Sequence, residues 1–154
     1  MNGQIITDLK LKKKDGFDFS NLLFAGTAWL FSDERLNKKI DYLFIDEAGQ
    51  VSLANTLAMS TSTKNIILIG DQMQLSQPIK GIHAGDSGKS SLEYLLSGYD
   101  TIPPNKGIFL NKTRRLNHKI CDYISESFYD SRLKPHEITK ERYVKLKSAI
   151  IHDE

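Results

Sequence analysis

The chain has 154 residues, 26% of them charged and 40% hydrophobic, with a formal net charge of +2. That composition suits one ordinary globular domain with a real core and excludes a chain disordered throughout. It also falls short of a strongly basic domain, so any basic surface has to be local.

The single cysteine, Cys121, excludes an internal disulfide framework and a cysteine-rich zinc site; it reads as a small buried apolar residue on a helix. No run approaches the roughly 18 apolar residues of a membrane span. Lys10 to Lys14 follow Ile5-Ile6 instead of preceding an apolar region, so the expectation is a cytoplasmic protein without a leader or membrane contact.

Residues 1–20 are polar and lysine-rich and read as a linker or truncated edge. Three apolar runs follow, at Leu22–Gly26, Tyr42–Ile45 and Ile66–Ile69. Each is continuous, as expected for strands of a parallel sheet covered on both faces. Between the second and third, Val51, Ala54, Leu57 and Ala58 have helical spacing, which predicts a strand–helix–strand crossover. A helix is predicted over Ser90–Ser97, with Leu92, Leu95 and Leu96 on one face and Gly98 as its stop. A fourth strand is predicted at Gly107–Leu110, after the turn that begins at Pro103-Pro104. The repeat of Ile120, Cys121, Ile124 and Phe128 predicts a helix over Asn117–Tyr129. Beyond Lys134-Pro135 the pattern weakens. The fold class expected is α/β with a parallel sheet.

Three stretches carry chemistry. Asp46-Glu47 ends an apolar strand, so one carboxylate can hold a metal while its neighbour polarises an attacking water. Gly70-Asp71-Gln72-Met73-Gln74-Leu75 ends the next strand. Gly70 permits a tight turn there, and the Gln74 carboxamide can bond both a terminal phosphate and an acidic neighbour. Leu110 to Asn117 holds Arg114-Arg115 at a helix start, where a planar donor fork suits phosphate oxygens. A fourth stretch, Gly88-Lys89-Ser90, imitates a phosphate loop. That pattern requires a glycine where His83 stands and a buried strand before it, so a loop plus helix cap is the reading.

In this order, the three motifs resemble motifs II, III and IV of superfamily 1 helicases, in the branch that includes the nonsense-mediated-decay helicase. Bacterial versions fused to a RecB-like nuclease are the most similar. Ala25-Gly-Thr-Ala-Trp-Leu-Phe31 resembles the nucleic-acid-contacting segment before motif II, and Ile124–Tyr129 with Arg132-Leu133 resembles the helix after motif IV.

The resemblance implies a partial P-loop NTPase: residues 21–112 as the later part of a first RecA-like domain and 113–154 as the start of a second. It implies ATP and Mg²⁺ as cofactors. Asp46 would hold the metal, Glu47 would activate water, Gln74 would contact the γ-phosphate, and Arg115 would reach that phosphate from across the cleft. Gln50 and Asp71 fall at the nucleotide by the same resemblance, and Thr27 at the nucleic-acid backbone.

Trp29, beside an apolar strand, reads as core rather than as a base-stacking platform. The partners implied are single-stranded nucleic acid, DNA ahead of RNA, together with the rest of a helicase core and a fused nuclease. The phosphate loop is expected before residue 1 and motifs V and VI after residue 154, so the chain alone is expected not to turn over ATP. The rival reading is a degenerate, non-catalytic binding module derived from a helicase.

Overall fold

A computed structural model of the chain describes residues 23–75, 81 and 84–143. The expected linker, Leu22, His83 and the stretch from Ser76 to Lys80 lie outside the described residues. Two units divide the chain, Met1–Ser97 and Gly98–Glu154, meeting upstream of the motif-based boundary at 112/113.

In the first unit, the expected strand at Leu22–Gly26 reduces to one bridging residue, Phe24, among the described residues. A short helix, α1 (Ala28–Phe31), follows, and then a 3₁₀ turn over Glu34–Leu36. Asp33 caps that turn by accepting the Arg35 amide at 2.9 Å. The Arg35 guanidinium beside it, at 2.6 Å, holds the Asp33 carboxyl down at about 2. The turn drives Leu36 into the core, where it is fully buried.

Next come β1 (Ile40–Ile45), α2 (Leu53–Ser60) and β2 (Thr63–Leu68). The strands pair in parallel, from Ile40 against Thr63 to Ile45 against Leu68, with α2 as the crossover, as the spacing predicted. Ser52 caps α2 by accepting the Asn55 amide at 3.3 Å. The helix packs on α1 and on β2.

The expectation of a sheet covered on both faces is not met among the described residues. Leu43 and Ile45 are buried, whereas Tyr42 and Phe44 are 59% and 61% exposed. The register sets Ile67 beside Phe44, so one apolar face stays open. The reason is topological: one crossover lays one helix against one face of its strands. The unit ends with α3 (Ser91–Leu95), shorter than expected, and Gly98 beyond it takes a left-handed φ of 84°.

In the second unit, the strand expected at Gly107–Leu110 does not form. Ile108 and Leu110 are exposed, with no ladder partner among the described residues. The segment is held by Phe109 instead. Its ring lies 6.2 Å from that of Tyr129, with the Arg132 guanidinium 4.6 Å from its centroid. Arg132 also donates to Thr101 Oγ1 (2.6 Å) and Ile102 O (3.1 Å), while Thr101 donates to Asp130 (2.7 Å).

Strand pairing occurs further on, between β3 (Lys112–Thr113) and β4 (Lys134–Pro135), which run parallel. They flank α4 (His118–Phe128), whose N-cap Asn117 accepts the Lys119 amide at 3.1 Å. Cys121 of α4 is fully buried, as expected. No helix of the described residues is long and apolar enough to cross a membrane.

Burial pushes the Cys121 thiol up from its ordinary value of 9.0, with Asp122 adding to the shift. The folded state therefore favours the neutral thiol. Its contribution to stability is complete below the unfolded thiol's pKa and declines as pH rises past it. Thiol labelling at pH 8 is expected to be slow in the native chain and complete in denaturant. Fast native labelling would contradict this placement of Cys121.

Candidate functional site at the carboxyl ends of the parallel strands

Because β1 and β2 run in the same direction, the segments that follow them leave from one edge of the ladder. The ladder is prolonged by Ile69 N donating to Ile45 O (2.9 Å) and Ala48 N donating to Ile69 O (2.8 Å). Asp46 and Glu47 therefore turn away immediately beside Gly70-Asp71. Asp46 Oδ1 accepts the Glu47 amide at 3.0 Å, and among the described residues Oδ2 of this exposed carboxylate has no hydrogen-bond partner. Glu47 sits in the left-handed region, φ 52° and ψ 40°. A non-glycine residue held there costs on the order of 1–3 kcal/mol. The chain then tightens into a 3₁₀ turn over Ala48–Gln50, with Ala48 and Gly49 buried.

Two glycines let these loops interlock. A Cβ on Gly49 would overlap the Asp71 carbonyl. One on Gly70 would stand 2.8 Å from Ala48 N and 3.0 Å from Gly49 N. Gly70 stands at the bend that ends β2, as expected, without a positive φ; what its missing Cβ permits there is close backbone approach. On the far side of the contact, Asp71 Oδ1 accepts the Met73 amide (3.0 Å) and Oδ2 accepts Gln74 Nε2 (3.4 Å). The Gln74 carboxamide thus touches its acidic neighbour, and its side chain is exposed.

Asp46, Glu47, Gln50, Asp71 and Gln74 all belong to these two strand-end loops. Thr27 lies in the same unit at the N-cap of α1, exposed, its hydroxyl uninvolved in capping. Two residues on, Trp29 is 88% exposed, which corrects its expected place in the core. Arg115 belongs to the second unit. An Oγ1 turn fixes its backbone, Thr113 accepting the Arg115 (3.2 Å) and Leu116 (3.4 Å) amides, and its side chain is exposed.

Gly88-Lys89-Ser90 makes structural contacts. Lys89 Nζ pairs with Asp86 at 2.8 Å, and the Lys89 carbonyl accepts the Leu53 amide at 2.8 Å. Ser90 and Glu93 form a reciprocal capping box at the start of α3. The Thr56 and Ser91 hydroxyls bond each other, tying α3 to α2.

Among the described residues, no three His, Cys, Asp or Glu side chains are grouped to hold a metal. A hard carboxylate with one oxygen available nevertheless fits Mg²⁺ when a phosphate shares the ion, since Mg²⁺ keeps several waters and needs only one or two carboxylates. Asp46 is the residue that could offer such a donor, and Glu47 leaves the strand end next to it.

No family model matches the chain. It is similar to "Probable helicase MAGATAMA 3" of Arabidopsis thaliana, 34% identical over 119 residues, covering 75% of this chain and 13% of that protein. It is also similar to "DNA polymerase alpha-associated DNA helicase A" of Schizosaccharomyces pombe, 28% identical over 127 residues, covering 80% of this chain and 18% of that protein. The chain thus spans less than a fifth of either relative. Both matches support a helicase family and a helicase-derived segment.

Replacing Ser90 by Ala removes the cap of α3 and is expected to destabilise the chain by about 1 kcal/mol in urea unfolding. Lys89→Ala is expected to leave nucleotide-analogue binding unchanged. A Lys89-dependent loss of that binding would restore the phosphate-loop reading.

Proposed function

We propose that the chain is the nucleotide-hydrolysing segment of an ATP-dependent helicase or translocase acting on single-stranded nucleic acid. The observation that carries this reading is the interlocked pair of strand-end loops. It sets Asp46-Glu47 beside Asp71 and Gln74 at the carboxyl edge of a parallel ladder, where α/β folds take up ligands. The helicase relatives add independent support. In this reading, residues 21–112 belong to a first RecA-like domain and residues 113–154 begin a second.

Each residue then has a task. Asp46 holds Mg²⁺, which when bound neutralises phosphate charge. A Glu47 carboxylate oxygen takes the proton of the attacking water. Gln74 exchanges its bond to Asp71 for one to the terminal phosphate, reporting nucleotide state to the neighbouring loop. Gln50 and Asp71 line the nucleotide, and Arg115 brings its fork to the phosphoryl oxygens. Thr27 meets the nucleic-acid backbone, and exposed Trp29 offers a stacking surface next to it. DNA is the preferred strand chemistry, in line with the printed name of the fission-yeast relative, and the branch is the nuclease-fused one named above. The open face bearing Tyr42 and Phe44 supports a further partner, the remainder of a helicase core.

This reading gives no phosphate-loop role to Gly88-Lys89-Ser90, where Ser90 caps α3 and Lys89 pairs with Asp86. The 154-residue chain is therefore expected to release no phosphate from ATP in a steady-state assay with Mg²⁺ and single-stranded DNA. Clear turnover abolished by Glu47→Gln would overturn that expectation. In the longer protein that the helicase reading implies, Glu47→Gln is expected to lower turnover by about 10²–10⁴; undiminished turnover would remove Glu47 from the chemistry.

Trp29 is the chain's single tryptophan, so its emission reports on one site. Titration with oligo(dT) is expected to quench that emission, and Trp29→Ala to weaken binding by roughly 1–3 kcal/mol. Binding without quenching would exclude stacking on this ring.

A further inference from the structure

The β3–β4 ladder contains a like-charge pair. In its register Lys112 lies directly opposite Lys134, and directly paired residues in a ladder project from the same face. Strands in a ladder stand only about 4.7–4.9 Å apart, and like charges so placed destabilise the pairing. Nothing in the described chain relieves this pair: both lysines are exposed, and neither forms an ion pair with a described carboxylate. Arg114 and Arg115 follow β3 directly and are likewise exposed. Arg142 adds a further cation, its guanidinium donating to the Arg115 carbonyl at 3.4 Å.

The charge is uneven along the chain. Residues 98–143 hold nine lysines and arginines against six carboxylates. The described part of the first unit holds five against eight. A net charge of +2 conceals this division.

We propose that the exposed face of the β3–β4 ladder contacts the sugar-phosphate backbone of a single-stranded nucleic acid, with Lys112 and Lys134 as its two anchoring charges. The proposal rests on the helicase reading and adds to it a contact surface that joins Lys112, within the third motif, to Lys134, beyond it. An anion across both ammonium groups converts their repulsion into a shared attraction. Lysines are mobile point charges rather than planar forks, which suits contacts independent of base sequence. A polymer of evenly spaced phosphates meets two adjacent ammoniums on an exposed strand pair more readily than a lone nucleotide, which needs concave walls.

The test is a salt titration of oligo(dT) binding to the full 154-residue chain, read by fluorescence anisotropy. The Lys112→Gln/Lys134→Gln double variant is compared with wild type and with Lys140→Gln, a charge removed elsewhere in the same unit. The double variant is expected to bind about tenfold more weakly at low salt, with a log–log salt slope shallower by about 1.4, near 0.7 for each lost contact on a single strand. Lys140→Gln is expected to keep the wild-type slope.

Each single lysine variant is also expected to raise the thermal midpoint at low salt and not at high salt, because repulsion is relieved. A lowered midpoint would give the lysines a structural partner and overturn the proposal. An unchanged slope in the double variant, or an equal change in Lys140→Gln, would overturn it while leaving the helicase reading intact. One-for-one competition by Mg²⁺-ATP would reassign the lysines to nucleotide. A wild-type chain that binds no oligonucleotide would overturn both readings.

Discussion

The close approach of two backbone loops at the ends of β1 and β2 is the constraint on which the candidate site depends. A parallel ladder alone brings the loops to the same edge. It does not decide how near they come. The nearness comes from Gly49 against the Asp71 carbonyl and Gly70 against the Ala48 and Gly49 amides, where no side chain fits. With that contact made, Ala48 N reaches Ile69 O and the ladder runs one step beyond its strands. The backbones of the two loops are thereby held against each other at Gly49 and Gly70. Side chains on rigid neighbouring strands keep a constellation better than side chains on independent loops.

Much of this edge was legible in the sequence because its signals are local. Continuous apolar runs gave β1 and β2, helical spacing gave α2, and the residues closing each run gave a candidate site. The acid pair, Asp71 and Gln74 needed only their positions at strand ends. What could not be read was anything that depends on a partner distant in sequence. Gly107–Leu110 has the composition of a strand, yet it lacks a neighbour and is held by Phe109, Tyr129 and Arg132 instead. Lys112 and Lys134 face each other only because α4 intervenes and returns the chain. Trp29 looked like core because it follows an apolar run, but α1 is a single turn with too little surface to bury it. Gly-Lys-Ser shows the reverse case. Its local text points to phosphate, whereas the capping box at α3 accounts for the serine and the ion pair with Asp86 for the lysine.

The uncovered sheet face follows from the same logic of missing partners. Parallel strands are stable when both faces are buried, and here α2 and its neighbours cover only the face of Leu43 and Ile45. Tyr42, Phe44, Ile67 and Ile69 remain as a contiguous apolar surface, each more than a third exposed. A monomer rarely leaves such a patch without a use.

Three departures from local rules thus stand out: the left-handed Glu47, the open face behind it, and the like-charged register of Lys112 with Lys134. Each is unfavourable when judged by local rules alone. Sequences that fold well are consistent at every level, and their violations concentrate where function demands them. The three also differ in kind. Glu47 is strained in backbone, the sheet face is short of apolar cover, and the lysines are short of counter-charge. Those needs correspond to three distinct interactions: a site that fixes one carboxylate, a protein surface that buries a sheet, and a polyanion that neutralises a ladder.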